Sequence, residues 1–372
     1  MNGSPRGEDL TRQQAGSAGC HATDAGFFAY CRNLLGVCLK DWRRYRDKLS
    51  AADASYLTIC NRSERLEPSA DGTGYRCDWQ WTSDLHAPKF LPSLGLRLME
   101  RALSDHPIRR VSAPDMLADA PEVSFIIGHR GLDRLPHLLA TLESIAGQQG
   151  ASVECLVVEQ DVEPRIAGSL PAWVRHIHTP PPAAEMPYCR SWTFNIGVKH
   201  AKGAVFVLHD NDMLVPADYS ANILKQIEKG HEVANLKRFI FYLSEQHTQQ
   251  VFSGKAGLAD QAPLTIVQNL EAGGSVVITR QAYDRIGGMD ESFIGWGGED
   301  NEFWERAQTL KVWPYAYLPI VHLWHSAQPG KNDPRYHTHA HYLELSKMAP
   351  EQRVLQLKAL PRGMLDGPIT RS

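Results

Sequence analysis

Short apolar runs alternate along this chain with longer stretches in which apolar residues recur every three or four positions. Three runs, 123–127, 153–158 and 205–208, are almost wholly apolar and too short for helices. Such runs predict strands buried on both faces. Between the first two, Leu135, Leu138, Leu139, Leu142 and Ile145 share one helical face. Strand, helix, strand at that spacing is a βαβ unit, which implies a parallel sheet. A further helix is expected from about Tyr188 to Lys202, and a strand over 313–321. In parallel sheets ligands gather beyond the carboxyl ends of the strands. The residues that follow each run are therefore where chemistry is expected.

The remainder reads as flanking structure. Residues 1–22 are polar and glycine-rich, and predict a disordered tail. From Asp24, a candidate cap, Phe27, Phe28, Cys31, Leu34, Leu35, Cys38, Trp42, Tyr45 and Leu49 mark the apolar face of a long amphipathic helix. Arg43, Arg44, Arg46 and Lys48 near its end suit the helix dipole, as a solvated basic face or as a peripheral contact to anionic lipid headgroups. Tyr75 to Trp81 alternates like a half-buried strand, with Trp79 and Trp81 on one face packed toward the core. Helices are expected over 93–104 and 339–348. The chain divides into a tail (1–22), a mainly helical accessory region (23–118), a catalytic domain (119–330) and a helical C-terminal tail (331–372).

Bulk composition narrows the class. The 372 residues are 43% hydrophobic and 22% charged, as in an ordinary globular protein. A net charge of −3 gives no argument for nucleic acid as a partner. The polar N-terminal residues carry no apolar signal-peptide core, and no apolar run approaches the ~20 residues that span a bilayer. The seven cysteines, Cys20, Cys31, Cys38, Cys60, Cys77, Cys155 and Cys189, are odd in number and form no CxxC pair. Free thiols in a reducing compartment are expected.

Candidate chemistry lies in four places. Arg130, in Gly128-His-Arg-Gly131 after the first strand, suits a diphosphate or a nucleobase carbonyl. Glu159 and Asp161 follow the second strand. His209-Asp-Asn-Asp212 follows the third, and two carboxylates one residue apart there suit a hard divalent cation that would neutralise a diphosphate. A solvated turn is the plain alternative. Further along, His322 and His325 are three apart, and imidazole with carboxylate favours manganese over magnesium. Lastly, Gly295-Trp-Gly-Gly298 resists regular structure, because each glycine costs about 0.5–1 kcal/mol relative to alanine inside a helix or strand. It precedes Glu299-Asp-Asn-Glu302 and the start of a helix. A capped helix after a glycine loop accounts for that pattern, since helix N-termini favour acids. A sugar site accounts for it too, with Trp296 stacking on a pyranose and paired carboxylates binding hydroxyls or taking a proton.

The run Gly287-Gly-Met-Asp290 followed by Gly295-Trp-Gly-Gly-Glu-Asp300 resembles the signature of β-1,4-galactosyltransferases and, more loosely, of polypeptide N-acetylgalactosaminyltransferases. Other family segments have counterparts in the same order over roughly 121–328. The nucleotide loop resembles Gly128 to Gly131, with the arginine kept. A second segment resembles Tyr188-Cys-Arg-Ser191 and Asn195-Ile-Gly197, which makes Arg190 a candidate contact to the donor diphosphate. The DxD is matched by Asp210 and Asp212, the latter resembling the direct manganese ligand. A Gly-Gly step is matched by Gly273-Gly274, and the Met-x-x-His metal pair by His322 and His325. Glu271 falls where the family has an aromatic that helps choose the donor sugar.

The resemblance implies a GT-A fold: a mixed, mostly parallel sheet flanked by helices. It also implies a metal-dependent inverting glycosyltransferase, with Mn2+ (or Mg2+) as cofactor. The enzyme would move a Gal, GalNAc or Glc type hexose from a UDP-sugar to a hydroxyl acceptor in glycan or polysaccharide synthesis. Asp300 would be the general base and Glu299 would orient the acceptor. Asp212, His325 and His322 would hold the metal. Arg130, Glu159, Tyr188, Arg190, Asp210, Gly273, Gly274, Trp296, Gly297 and Gly298 would line the substrate site, with the glycine loop as a lid. A cytoplasmic location is expected, with contact at the inner membrane face an option. The alternatives are a non-catalytic carbohydrate-binding protein on a transferase fold, or a nucleotidyltransferase that makes sugar nucleotides.

Overall fold

A computed structural model of the chain describes residues 31, 34–79, 83–115, 118–326 and 338–363. The expected disordered tail, the start of the first helix with Asp24, Phe27 and Phe28, and the residues Cys20, Trp81, Arg335 and His337 lie outside the described residues. The three apolar runs become β3 (Val123–His129), β4 (Val153–Glu159) and β6 (Val205–His209), which pair in parallel with β3 in the middle. They belong to a seven-stranded sheet that continues through β5 (Arg175–His178) on one side. On the other side lie β11 (Ser275–Thr279), β8 (Val233–Ala234) and β12 (Val312–Trp313). Only β11 runs antiparallel to its neighbours, so the sheet is mixed and mostly parallel, as expected.

Strand residues alternate between two cores, which is why the runs carry no polar face. Phe125, Ile127, Val205, Val207 and Val277 join one core. Ile126, Phe206, Leu208, Val276 and Ile278 face the other. The helix Leu135–Ala146 covers the first face through Leu138, Leu142 and Ile145. On the second face, Phe194 and Val198 come from the helix Arg190–His200, and Phe303 and Trp304 from the helix Glu299–Ala307.

A smaller sheet packs into the first core. Its order is β10 (Thr265–Gln268), β9 (Lys237–Tyr242), β13 (Leu318–His322) and β7 (Met213–Leu214). The region before residue 119 joins this same core. Tyr45, Leu49, Tyr56, Leu94 and Leu98 are buried with Phe239, Ile240 and Ile320. The hairpin of β1 (Arg65–Pro68) and β2 (Tyr75–Asp78) attaches through a bridge from Tyr75 to Ala316. Among the described residues no helix is long and apolar enough to cross a membrane.

Two local expectations are corrected. The expected strand over 313–321 is two strands, β12 in the large sheet and β13 in the small one. Pro314 lacks the N–H a ladder needs, and the chain changes sheets just after Trp313. In the first helix the buried face is Val37, Asp41, Tyr45 and Leu49, whereas Leu35, Leu39 and Trp42 are exposed. A π-turn at Val37–Asp41 widens the helix there, so residues exactly four apart stay in register instead of drifting by α-helical spacing.

Arg238 ties the N-terminal region to the small sheet. It is fully buried, and its guanidinium donates to the carbonyls of Leu57 at 2.8 Å and Ile59 at 2.5 Å and to Asn269 Oδ1 at 2.8 Å. Replacing it by methionine leaves these acceptors buried and unpaired. Arg238→Met should cost about 3 kcal/mol or more in urea denaturation, summing the loss of charged hydrogen bonds. Amide exchange should accelerate first at 54–60.

Candidate active site

Backbone pairing brings distant residues together at the carboxyl end of β6. The chain leaves β6 at His209 and turns through Asp210, Asn211 and Asp212 into β7. On one side β11 begins there, with Ser275 opposite His209, and the Asp210 N–H donates to the Gly274 carbonyl at 2.8 Å. On the other side β13 ends there, with His322 opposite Met213, and the Leu323 N–H donates to the Asp212 carbonyl at 2.9 Å. These two pairings deliver Gly273-Gly274 and His322 to the aspartates.

The first cluster is Asp212, His322 and His325, whose ligating atoms all lie within 4.8 Å of one another. His325 Nε2 is 3.2 Å from Asp212 Oδ2, and His322 Nε2 is 3.7 Å from Oδ1. Ligands about 2.1 Å from an octahedral ion stand about 3 Å apart when adjacent, so the donor set fits a divalent cation. One orphaned atom supports the fit, since Asp212 Oδ1 is buried without a hydrogen-bond partner. Burial pushes the His322 pKa down to about 4, against the pull of Asp212, so its ring is neutral and has a lone pair to offer. The Tyr242 ring stacks on it at 4.3 Å. Burial alone would raise the Asp212 pKa, but the basic groups around it, of which Arg134 is always charged, outweigh it and hold the carboxyl below its usual range.

The second cluster is acidic and gathers on Arg190, the first residue of its helix. Its Nη2 is 2.5 Å from Asp210 Oδ1, its Nη1 bonds Asp300, and Glu299 Oε1 is 3.8 Å away. Burial disfavours the Arg190 charge, but the three carboxylates keep its pKa well above normal. Asp300 and Glu299 stand in the first turn of the helix Glu299–Ala307, where the dipole suits them. That helix starts from Gly298 in the left-handed region at φ +89°, which only glycine adopts without strain. Burial, then the charge of Asp300, raises the Glu299 pKa to about 7. Burial likewise raises Asp210 to about 6. Gly273 is also required: at φ +76°, a Cβ there would sit 2.8 Å from Asp300 Oδ2.

The remaining expected residues fall as follows. Arg130 donates to the Met186 carbonyl at 2.6 Å and so holds the loop beside the site. Tyr188 bonds Thr193 at 3.1 Å, and its carbonyl accepts the Gly295 N–H. Trp296 is half-buried, and its carbonyl accepts the Thr338 N–H at 3.1 Å. The Gly297 N–H donates to Glu299 Oε2 at 3.2 Å. Glu271 accepts from Trp304 Nε1 at 3.2 Å and lies 3.8 Å from Arg76 of the N-terminal hairpin. Glu159 is a correction. It is wholly buried, with its oxygens taken by the Arg165 N–H at 2.8 Å and His176 Nε2 at 2.7 Å, so it braces a loop instead of facing a ligand.

Three participants were not anticipated. Arg134 bonds Asp212 Oδ2 at 2.8 Å, and one helical turn on, His137 packs 6.4 Å from the His325 ring. Lys237 is buried, donates to the Ser275 carbonyl at 2.5 Å, and has its pKa lowered to about 8 by burial against the pull of Asp300 and Asp210. The available signals were a basic residue just ahead of the helix at Leu135, and a lysine opening an apolar strand.

Comparison with known proteins adds three similarities. A family model described as the N-terminal domain of galactosyltransferase matches residues 266–317, which take in most of β10, all of β11 and the whole glycine-rich stretch with its helix. Beta-1,4-galactosyltransferase 5 of Danio rerio is 25% identical over 130 residues, 34% of this chain and 28% of that one. The chain therefore aligns with well under a third of that relative's length. The catalytic domain of Drosophila beta1,4-galactosyltransferase 7 in complex with xylobiose superposes with a TM-score of 0.30 at 18% identity, over 53% of this chain and 65% of that one. A mutant of that enzyme in complex with manganese, UDP-Gal and xylobiose gives 0.32 at 16%, over 57% and 68%.

Glu299 supplies a pH test. Its pKa is higher folded, at about 7, than the ordinary 4.5 it has unfolded. The folded chain therefore holds a proton that the unfolded chain releases, and stability is lost as pH rises from the lower value through the upper. Thermal melts of the metal-free protein should fall between pH 5 and pH 8, and Glu299→Gln should flatten that slope. An equal slope in the variant would place the titration elsewhere.

Proposed function

We propose that the chain is a metal-dependent inverting glycosyltransferase of GT-A type that moves a hexose from a UDP-sugar to a hydroxyl of a glycan acceptor. The observation that carries this is the meeting of a cation-binding trio and a cluster of three carboxylates at one three-residue turn, Asp210 to Asp212. The galactosyltransferase match over 266–317 supports it independently, because it covers the segment that supplies Asp300. The free cysteines among the described residues fit a reducing, cytoplasmic compartment.

Asp212, His322 and His325 would hold Mn2+ or Mg2+, which when bound offsets the diphosphate charge and stabilises the leaving UDP. Asp300 takes the proton of the acceptor hydroxyl. The freed oxygen attacks the anomeric carbon, and the carbon–oxygen bond to UDP breaks on the opposite face, which inverts the centre. Exposure favours Asp300 over Glu299 as base: their side chains are 34% and 13% exposed, so Asp300 is the one an acceptor can reach. Glu299 fixes the glycine loop through the Gly297 N–H and orients the acceptor. Arg190, held by Asp210 and Asp300, is poised to turn to the donor phosphates. Trp296 offers an indole for sugar stacking. Glu271 and Arg76 make the neighbouring wall polar, so UDP-Gal, UDP-GalNAc and UDP-Glc are all donors to be tried.

UDP release should be measured across those donors with and without Mn2+. Release that depends on Mn2+ is expected. Sugar binding without release would favour a carbohydrate-binding protein, and pyrophosphate formation a nucleotidyltransferase. Asp300→Asn should lower kcat by about 100-fold or more, the scale of general-base catalysis, while calorimetric UDP binding is kept. Asp212→Ala should remove both turnover and its dependence on Mn2+. Normal turnover in either variant rejects the role given to that residue.

A further inference from the structure

Arg134 sits inside the cation-binding trio. Its Nη1 donates to Asp212 Oδ2 at 2.8 Å, and its Nη2 lies 2.9 Å from His325 Nδ1. The same Oδ2 faces His325 Nε2 at 3.2 Å. A divalent cation bound by Asp212 and His325 would draw on the oxygen that the guanidinium uses, and two cations cannot share it at such range without strong repulsion. We propose that Arg134 is a built-in counter-cation that competes with the divalent ion for Asp212, and that an anionic diphosphate relieves the competition by drawing the guanidinium away. The inference rests on the cation site and UDP donor put forward above.

Three observations carry it. The Asp212 side chain is only 4% exposed, so its charge requires a partner at all times, and among the described residues Arg134 is the one always-charged group that reaches it. Arg134 itself is 18% exposed, and it stands at the N-cap position of the helix Leu135–Ala146 with no side-chain cap bond. Its backbone is anchored while its long side chain can swing without unfolding anything. The His325 and His322 rings also face the carboxylate, with Nε2 atoms at 3.2 Å and 3.7 Å, each farther from it than the guanidinium at 2.8 Å. A displaced guanidinium needs a new anion, and its planar fork matches phosphate oxygens. Ion and nucleotide then favour each other through Arg134, and such coupling is reciprocal.

The test measures Mn2+ binding to the full chain by calorimetry and by electron paramagnetic resonance of the free ion, with and without saturating UDP. Arg134→Met should bind Mn2+ at least tenfold more tightly than wild type without UDP, and less than threefold more tightly with it. Arg134→Lys, which keeps the charge but loses the fork, should fall between the two proteins without UDP. It also serves as the comparison if the methionine variant does not fold. No tightening without UDP in a folded variant overturns the proposal, because the arginine would then be a brace for the ligands. Equal tightening with and without UDP overturns it as well. Asp212→Asn separates the two layers: it should weaken Mn2+ binding at least tenfold. If it binds Mn2+ as wild type does, the cation site itself is wrong and this proposal falls with it. If it weakens binding while Arg134→Met changes nothing, the site stands and only the competition is rejected.

Discussion

Charge balance around one partly buried turn governs this site. Asp210 and Asp212 are set at the end of a strand with apolar layers on both faces, where a lone carboxylate would be costly. The fold answers with Arg134 and two imidazoles on Asp212, and with Arg190 on Asp210. Asp300 and Glu299 add further negative charge on Arg190, and Lys237 lies buried beneath. Groups of both signs are thus packed tightly and held by one another. A ligand with its own charges, such as a cation or a diphosphate, does not enter an inert pocket. It would enter by exchanging partners with side chains that already neutralise each other.

The backbone makes that exchange possible by fixing the carboxylates more firmly than the cations. Asp210 and Asp212 are pinned through main-chain hydrogen bonds to Gly274 and Leu323. Asp300 is fixed by its helix, which a buried Glu302–Arg306 pair and the carbonyls of Ile286 and Gly288 tie to the preceding loop. The arginines that balance them are long side chains at helix starts. Acids on rigid elements and bases on flexible stems is an arrangement in which the bases are the part that moves.

Much of this could be read along the chain, for definable reasons. The apolar runs identified β3, β4 and β6 because strands covered on both faces need no alternation, and the acidic residues after β6 followed from their place at a strand end. The two histidines were visible as metal-ligand chemistry. Which strand would carry them to Asp212 was not visible, since the pairing of His322 with Met213 joins residues far apart in sequence. Glu159 shows the opposite failure. Its place at a strand end was right, but its direction depends on His176 of β5, which no local pattern reveals. Arg134 escaped notice because arginine ahead of a helix is ordinary on a surface, and only the fold turns it inward. The π-turn at Val37 escaped for a similar reason, as helical periodicity assumes a constant pitch.

The glycine loop also changes meaning once the packing is known. Glycines at 295, 297 and 298 suggest a free lid, yet the loop is held from the C-terminal side. Thr338 donates to the carbonyls of both Trp296 and Gly297, and a Cβ on Gly298 would lie 2.5 Å from Tyr342 Cβ. The helix His339–Leu345 is in turn fixed to the helix Glu299–Ala307 by the Tyr342 hydroxyl on Glu305 at 2.6 Å. Glycine here gives close approach between two backbone segments as much as it gives freedom. Any motion that repositions Trp296 over a sugar must therefore carry the segment around Thr338 with it or break those bonds. The C-terminal helices are in this sense part of the site's frame, although none of their residues would touch the ion.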